Sequence, residues 1–286
     1  MSESSANKQG ASSAVDGDNS TTKGCATMDV SRGYESIWWK VWLERNFNVA
    51  ELRIYFQPTA IYQWTGFSIY VYDNESYIPP NDVSGRLVYQ HDPTTGCPPS
   101  QMTINVNRLT QGVAFFNTKQ RAINSTCHTT TPDKDVVDIC EVNVLGCDDT
   151  RYSSTCKMKC DTKCRDQHCD AYHGECIYGC TDPYLLGPQC TDCMDGFYGP
   201  YCNQTCGHCM NNTHCNKTTG HCMAGCQGHW LEPTCQECAD YFYDESCSSK
   251  CGSCAKNARC DKRFGECGSC DGNFLSPFCQ HLGLRG

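Results

Sequence analysis

Cysteine is the residue type with the most chemistry to offer in this chain. There are 28 among 286 residues, the density at which composition by itself points to a disulfide scaffold. CxxC pairs recur at Cys190/Cys193, Cys206/Cys209, Cys235/Cys238, Cys251/Cys254 and Cys267/Cys270, with His168, His173, His208, His214, His221 and His229 interspersed. Such residues could hold zinc or pair as cystines. The register argues against zinc: the cysteines keep their spacing along the chain and the histidines do not, whereas a Cys/His metal site needs its histidine at a fixed place. No GxSxG, HExxH or P-loop occurs, and no carboxylate pair sits in a recognisable frame. With all cysteines bridged, no reactive thiol is expected. The chain reads as a non-enzyme that binds no zinc.

The elements that position these cysteines divide at Gly146. Residues 1–146 hold four cysteines, Cys25, Cys97, Cys127 and Cys140, and the remaining residues hold twenty-four. The first part also holds Trp38, Trp39, Trp42 and Trp64, beside the alternating segments ELRIYF, FSIYVY, RLVYQ, MTINVN and EVNVL. Short, β-branched and aromatic, and separated by Gly, Pro, Asn and Asp, these read as half-buried antiparallel strands of a sandwich or jelly roll. In the second part, units of eight cysteines start at Cys147, Cys193 and Cys238 and repeat every 45 or 46 residues, which accounts for each cysteine through Cys279. Units this small bury little apolar surface, so cross-links stand in for a core, each worth roughly 2–4 kcal/mol. Eight cysteines allow about 105 pairings, which spacing does not resolve.

Compartment and partners follow from the same numbers. The 39% hydrophobic content includes the cysteines, which leaves too few apolar side chains for one large core. A net charge of −9, spread evenly over both parts, excludes a basic nucleic-acid face. The cysteines demand an oxidising compartment, and N-x-S/T acceptors at Asn19, Asn74, Asn124, Asn203, Asn211 and Asn216 favour a secretory route. MSESSANKQGASSAVDG lacks the apolar core of a signal peptide, and no apolar run is long enough to span a bilayer. The expectation is an extracellular piece of a longer product, attached to a membrane only through a segment outside this chain.

GFYGPYC (Gly196 to Cys202), the C-[DN]-x3-G-x-C elements and the eight-cysteine period resemble laminin-type EGF repeats, as in class F scavenger receptors and the multiple-EGF-like, Draper-like engulfment receptors. The resemblance covers residues 147–279 and implies EGF-like repeats at 147–192, 193–237 and 238–279, ahead of a tail at 280–286. The acidic cluster and hydroxylation-type element of calcium-binding EGF modules are missing, so no calcium is expected in the repeats.

SSAVDGD (Ser12 to Asp18), Cys25, WWKVWL (Trp38 to Leu43) and ICEVNVLG (Ile139 to Gly146) resemble the eel-type fucose lectins, a branch of the discoidin-like galactose-binding sandwiches. The family's usual first strand is not found before SSAVDG. The resemblance implies the pairs Cys25–Cys140 and Cys97–Cys127. It also implies a structural calcium held by the side chains of Asp16 and Glu141 and the carbonyls of Ser13, Asp18 and Cys140, with oxygen ligands as calcium prefers. Gly24 stands where the family has a hydroxyl residue, which puts affinity in doubt. The bland alternative is that Asp16 closes an Asx turn and Glu141 is a solvated strand residue. The family's sugar-binding histidine falls on Thr27, and its two arginines fall on Phe56 or Gln57 and on Gln63. A fold does not carry a function without its site. Tyr62 and Trp64 remain in that loop as aromatic platforms for a sugar or protein, with edge packing the plain alternative.

The expected protein is mainly β: a galactose-binding-like sandwich followed by an extended rod of three disulfide-rich EGF-like repeats. Its expected role is an extracellular ligand-binding ectodomain of scavenger, engulfment or adhesion type, whose sandwich takes a glycan or protein ligand on a cell surface or particle. A secreted lectin-like or matrix protein and the sensor of a receptor tyrosine phosphatase or kinase are the alternatives. Sequence beyond Gly286 separates the three.

Overall fold

The computed structural model describes residues 2–4, 10–29, 35–58, 65–80, 85–118, 127 and 136–283. It divides into two compact units, Met1–Tyr178 and Gly179–Gly286. The protein is mainly β, and no helix among the described residues is long and apolar enough to cross a membrane.

Seven strands make the sandwich of the first unit: β1 (Ser2–Ser4), β2 (Ala26–Asp29), β3 (Ser36–Phe56), β4 (Ser68–Tyr72), β5 (Gly85–Gln90), β6 (Gln101–Thr118) and β7 (Val136–Asp148). Their order is β2-β7-β3-β6-β4-β5, with β1 added on β3 and all pairs antiparallel. The segments WWKVWL and ELRIYF, separate in the sequence reading, form one strand. β3 and β6 pair along their length with a shift between Trp42 and Phe47. Before the shift β6 is flanked by β4, and after it β3 is flanked by β7, so the long pair serves both layers. Alternation sends Ile37, Trp39 and Val41 from the first half, and Leu52, Ile54 and Phe56 from the second, into one core. Phe56, Phe67 and Phe115 meet there, with ring centroids 5.3–6.0 Å apart. Burying a side chain of this kind is worth about 1.5–3 kcal/mol.

The opposite face of the WWKVWL segment is also covered. Trp38 and Trp42 pack on Tyr70, Tyr72, Tyr77 and Phe116, and buried Lys40 donates to the carbonyls of Glu75 (2.9 Å) and Tyr77 (3.1 Å). One expectation is corrected: a strand does precede SSAVDG, since Ser4 pairs with Trp39. A ladder is made by the backbone, so the polar SES segment carries no side-chain signal of it.

β7 runs through Gly146 to Asp148, so the step in cysteine density lies inside a strand. The first repeat is bound to the sandwich near the shift in β3. Asn48 Nδ2 donates to the carbonyls of Arg151 (2.9 Å) and Cys169 (3.1 Å), and the Ala171 amide donates to Asn107 Oδ1 at 2.7 Å. The Tyr172 hydroxyl donates to the Ala50 carbonyl at 2.9 Å, and the Leu109 amide donates to the Tyr178 hydroxyl at 2.7 Å.

Each unit of eight pairs its first and second cysteines, third and fifth, fourth and sixth, and seventh and eighth: Cys193–Cys202, Cys206–Cys215, Cys209–Cys222 and Cys226–Cys235 in the second. The CxxC cysteines therefore pair outside their motifs. One tyrosine per repeat lies over a glycine, Tyr152 on Gly174, Tyr198 on Gly220 and Tyr243 on Gly265. All 28 cysteines are paired, which suits an extracellular or secreted protein. Titration of the denatured, unreduced protein is expected to find no free thiol and no released zinc. Several titratable thiols, or stoichiometric metal, would contradict the disulfide framework.

Candidate functional site

The sandwich gathers its long connections at one end. β3 ends at Phe56, β6 begins at Gln101 opposite Tyr55, and β2 pairs with the start of β7. In the other layer, Ser68 of β4 pairs with both Phe116 of β6 and Gln90 of β5. Segments 57–67, 91–100 and 119–135 connect these strand ends, away from the docked first repeat. Both sandwich disulfides brace this end. Cys25–Cys140 ties the start of β2 to β7, and Cys97–Cys127 ties the second connection to the third. Within the rim, buried His91 accepts the Gly66 amide on Nδ1 (3.2 Å) and stacks on Phe67. Burial holds its pKa below the ordinary histidine value, which keeps the ring neutral and able to accept.

An acidic group sits beside this rim. The Trp39 indole donates to the Ala11 carbonyl at 2.9 Å and anchors the turn Ala11–Val15, which contains Ser13. The chain then turns at Asp16, whose Oδ1 accepts the Asp18 amide at 2.9 Å. The Gly17 amide reaches Glu141 Oε2 on β7 at 3.3 Å, and Asn143 donates to Asn19 Oδ1 at 2.9 Å. A Cβ at Gly24 would lie 3.8 Å from Asp16 Oδ2, and Cys140 is held through its bridge to Cys25. The structure thus brings Asp16, Asp18, Gly24, Cys140 and Glu141 together, with Ser13 in the adjoining turn. Asp16 does close an Asx turn. Glu141 is no solvated residue, being only 2% exposed. Burial, and after it the charges of Asp16 and Asp18, push its pKa up, while the Gly17 amide lowers it. No ion pair to these three carboxylates exists among the described residues. A buried carboxylate facing two more without a counter-ion is a donor set that suits calcium. No group of three or more His, Cys, Asp or Glu among the described residues is placed to hold a metal. The ligand set implied here has two side chains and three backbone carbonyls, so it does not depend on such a group.

Where the eel-type lectins place their sugar donors, Thr27 is half-buried in β2 and Phe56 lies wholly in the core. That leaves Gln57 as the polar residue there. Tyr62, Gln63 and Trp64 lie outside the described residues, as does Asn124. The sequence reading missed Asp138, which pairs across the ladder with Thr27, is 4% exposed and has a buried Oδ1 without a hydrogen bond. The only signal was one acid in the apolar run VVDIC. His91, Asn48, Asn107 and Tyr178 were missed too, since nothing local marks a residue whose partner lies far along the chain.

No sequence family matches the chain, and no curated protein matches it. Among solved structures, the chain is similar to a fucolectin from striped bass (Morone saxatilis) serum, with 18% identity and a TM-score of 0.37 over 51% of this chain and 46% of that one. This chain thus spans under half the length of that lectin. It is similar to the lectin domain of lectinolysin complexed with Lewis b antigen, with 15% identity and a TM-score of 0.35 over 51% of this chain and 92% of that one. It is also similar to a chitosan-binding module of a Paenibacillus chitosanase/glucanase, with 18% identity and a TM-score of 0.36 over 51% and 94%.

Proposed function

We propose that the chain is an extracellular ligand-binding ectodomain of the scavenger, engulfment or adhesion kind, without catalytic activity. Its sandwich takes a glycan or protein ligand, and its EGF-like repeats act as a spacer. One observation supports this reading above the others: the long connections, both sandwich disulfides and the acidic group gather at the end away from the docked repeat. Cross-linked connections on a rigid scaffold are where recognition residues are usually carried. Calcium held by Asp16 and Glu141 with the carbonyls of Ser13, Asp18 and Cys140 would neutralise the acidic group and fix the loop beside the rim.

The ligand is not expected to be fucose bound in the eel-type manner. Small sugars need a few placed polar donors beside an apolar face, and Thr27, Phe56 or Gln57, and Gln63 replace charge-assisted ones. Losing several such bonds, at roughly 1.5–3 kcal/mol each, removes a millimolar-to-micromolar affinity. On a glycan array, binding is expected to resist competition by free fucose and to drop when Tyr62→Ala and Trp64→Ala are combined. Fucose-inhibitable binding that survives both substitutions would place the site elsewhere.

A further inference from the structure

We propose that Asn203 carries an N-linked glycan whose first sugar is seated in a groove of the second repeat, against His208 and Trp230. The groove has a volume of about 560 Å³ and is lined by Asn203, Gln204, Thr205, His208, Trp230 and Gln236, among others. That is ample for a sugar ring, since cavities of ~300–1,000 Å³ hold drug-sized ligands. The acceptor triplet Asn203-Gln204-Thr205 is part of the groove wall. Gln204 and Thr205 pair with Tyr198 and Phe197, which fixes the exposed Asn203 just before them. Opposite, His208 and Trp230 stack with centroids 4.0 Å apart at 18°, an apolar surface that suits the C–H face of a sugar. Gln236 Nε2 donates to the Thr205 carbonyl at 2.8 Å, and its amide oxygen and the Gln204 side chain face the hydroxyl and N-acetyl groups such a sugar brings.

Comparison of the repeats sharpens the assignment. At the positions of Asn203, His208 and Trp230, the first repeat has Lys157, Lys163 and Leu185, and the third has Ser248, Ser253 and Phe274. The equivalence of Leu185, Trp230 and Phe274 is structural, because each bridges to the residue eight further on. Acceptor, imidazole and indole therefore coincide in one repeat alone. The Asn203 side chain makes no hydrogen bond among the described residues, whereas Asn74 and Asn216 use theirs to close turns at Ser76 (3.0 Å) and Thr218 (2.9 Å).

The modification is a group transfer without redox change. Asn203 Nδ2 forms a bond to the anomeric carbon of a lipid-linked oligosaccharide and gives up a proton. The bond from that carbon to the lipid diphosphate breaks, and the diphosphate leaves with the electron pair. The test uses the full chain secreted from eukaryotic cells, trimmed by an endoglycosidase to one sugar per site. Thr205→Ala, which removes the acceptor, and Thr205→Ser, which keeps it, are compared. Glycopeptide mass spectrometry is expected to find Asn203 occupied in the wild type and in Thr205→Ser. Hydroxyl-radical footprinting is expected to oxidise Trp230 about fivefold more slowly in those two than in Thr205→Ala, as a contact worth ~1 kcal/mol predicts. Wild type deglycosylated enzymatically after folding serves as the bare form should Thr205→Ala not fold. An unoccupied Asn203, or equal Trp230 oxidation with and without the sugar, would overturn the proposal.

Discussion

Gly220→Ala is expected to destabilise the second repeat by about 3 kcal/mol. Gly220 has φ +75°, and a Cβ there would stand 2.5 Å from the Tyr198 ring. A left-handed backbone costs a non-glycine residue roughly 1–2 kcal/mol, and forcing a core ring from its place costs about 1–3 kcal/mol more. Tyr198 cannot give way cheaply, because its ring is packed among Cys209, Cys215, Cys222, Cys226 and Cys235. Gly228→Ala is the internal control: its φ is +51° and nothing lies within 4 Å of the added carbon, so only the backbone term applies. Native-state hydrogen exchange reads local opening of the repeat directly. Combining Gly220→Ala with Tyr198→Leu should recover the ring's share of the loss. Equal opening in Gly220→Ala and Gly228→Ala would show that the tyrosine does not hold the repeat. The same result is expected at Gly174 and Gly265, beneath Tyr152 and Tyr243.

Calcium is expected to raise the melting temperature of the sandwich by roughly 5–10 °C. A ligand at a hundred times its Kd stabilises the folded state by about 2.7 kcal/mol, and a domain of this size gains ~2–4 °C per kcal/mol. Tryptophan fluorescence follows the transition in the whole protein, since four of its five tryptophans lie in residues 1–146. Asp16→Ala and Glu141→Ala should each abolish the gain. The pH dependence without calcium has a defined sign. Burial raises the pKa of Glu141 above 4.5 in the folded state, so its contribution is fully present below 4.5 and is lost as pH rises through the folded value. Glu141→Gln should remove that loss, and calcium, which binds the ionised form, should reverse it. Identical melting of the wild type in calcium and in chelator would mean that no site exists, with Gly24 the residue to blame.

The strands of the sandwich were legible because ELRIYF, FSIYVY and MTINVN alternate cleanly. Their continuity was not. Polar Glu44, Arg45 and Asn46 separate two apolar stretches and read as a break, yet β3 crosses them at its register shift. The cysteine repeat was legible as a period because each unit conserves its own spacing, while the pairing inside a unit depends on contacts that spacing alone leaves open. In the candidate site, Asp16 and Glu141 could be named only through the likeness of SSAVDGD and ICEVNVLG to a known family. The burial of Glu141 and the unpartnered oxygen of Asp138 needed the fold, since both belong to β7 segments that read as ordinary strand. The docking of the first repeat was invisible because Asn48, Asn107 and Tyr178 meet it across long sequence distances.

The course of β7 through Cys147 has a mechanical consequence. A pull on the chain from the first repeat enters the sandwich along this strand, which lies inside the sheet between β2 and β3. From Phe47↔Asp148 to Phe56↔Ile139 its ladder with β3 is nearly continuous, so tension along the strand is shared by many hydrogen bonds in shear instead of peeling them one by one. The bonds of Asn48, Asn107, Tyr172 and Tyr178 add a brace at the point where the load arrives. A head built this way can be tugged from its stalk side while its far end stays engaged, as an anchorage that must bear traction requires.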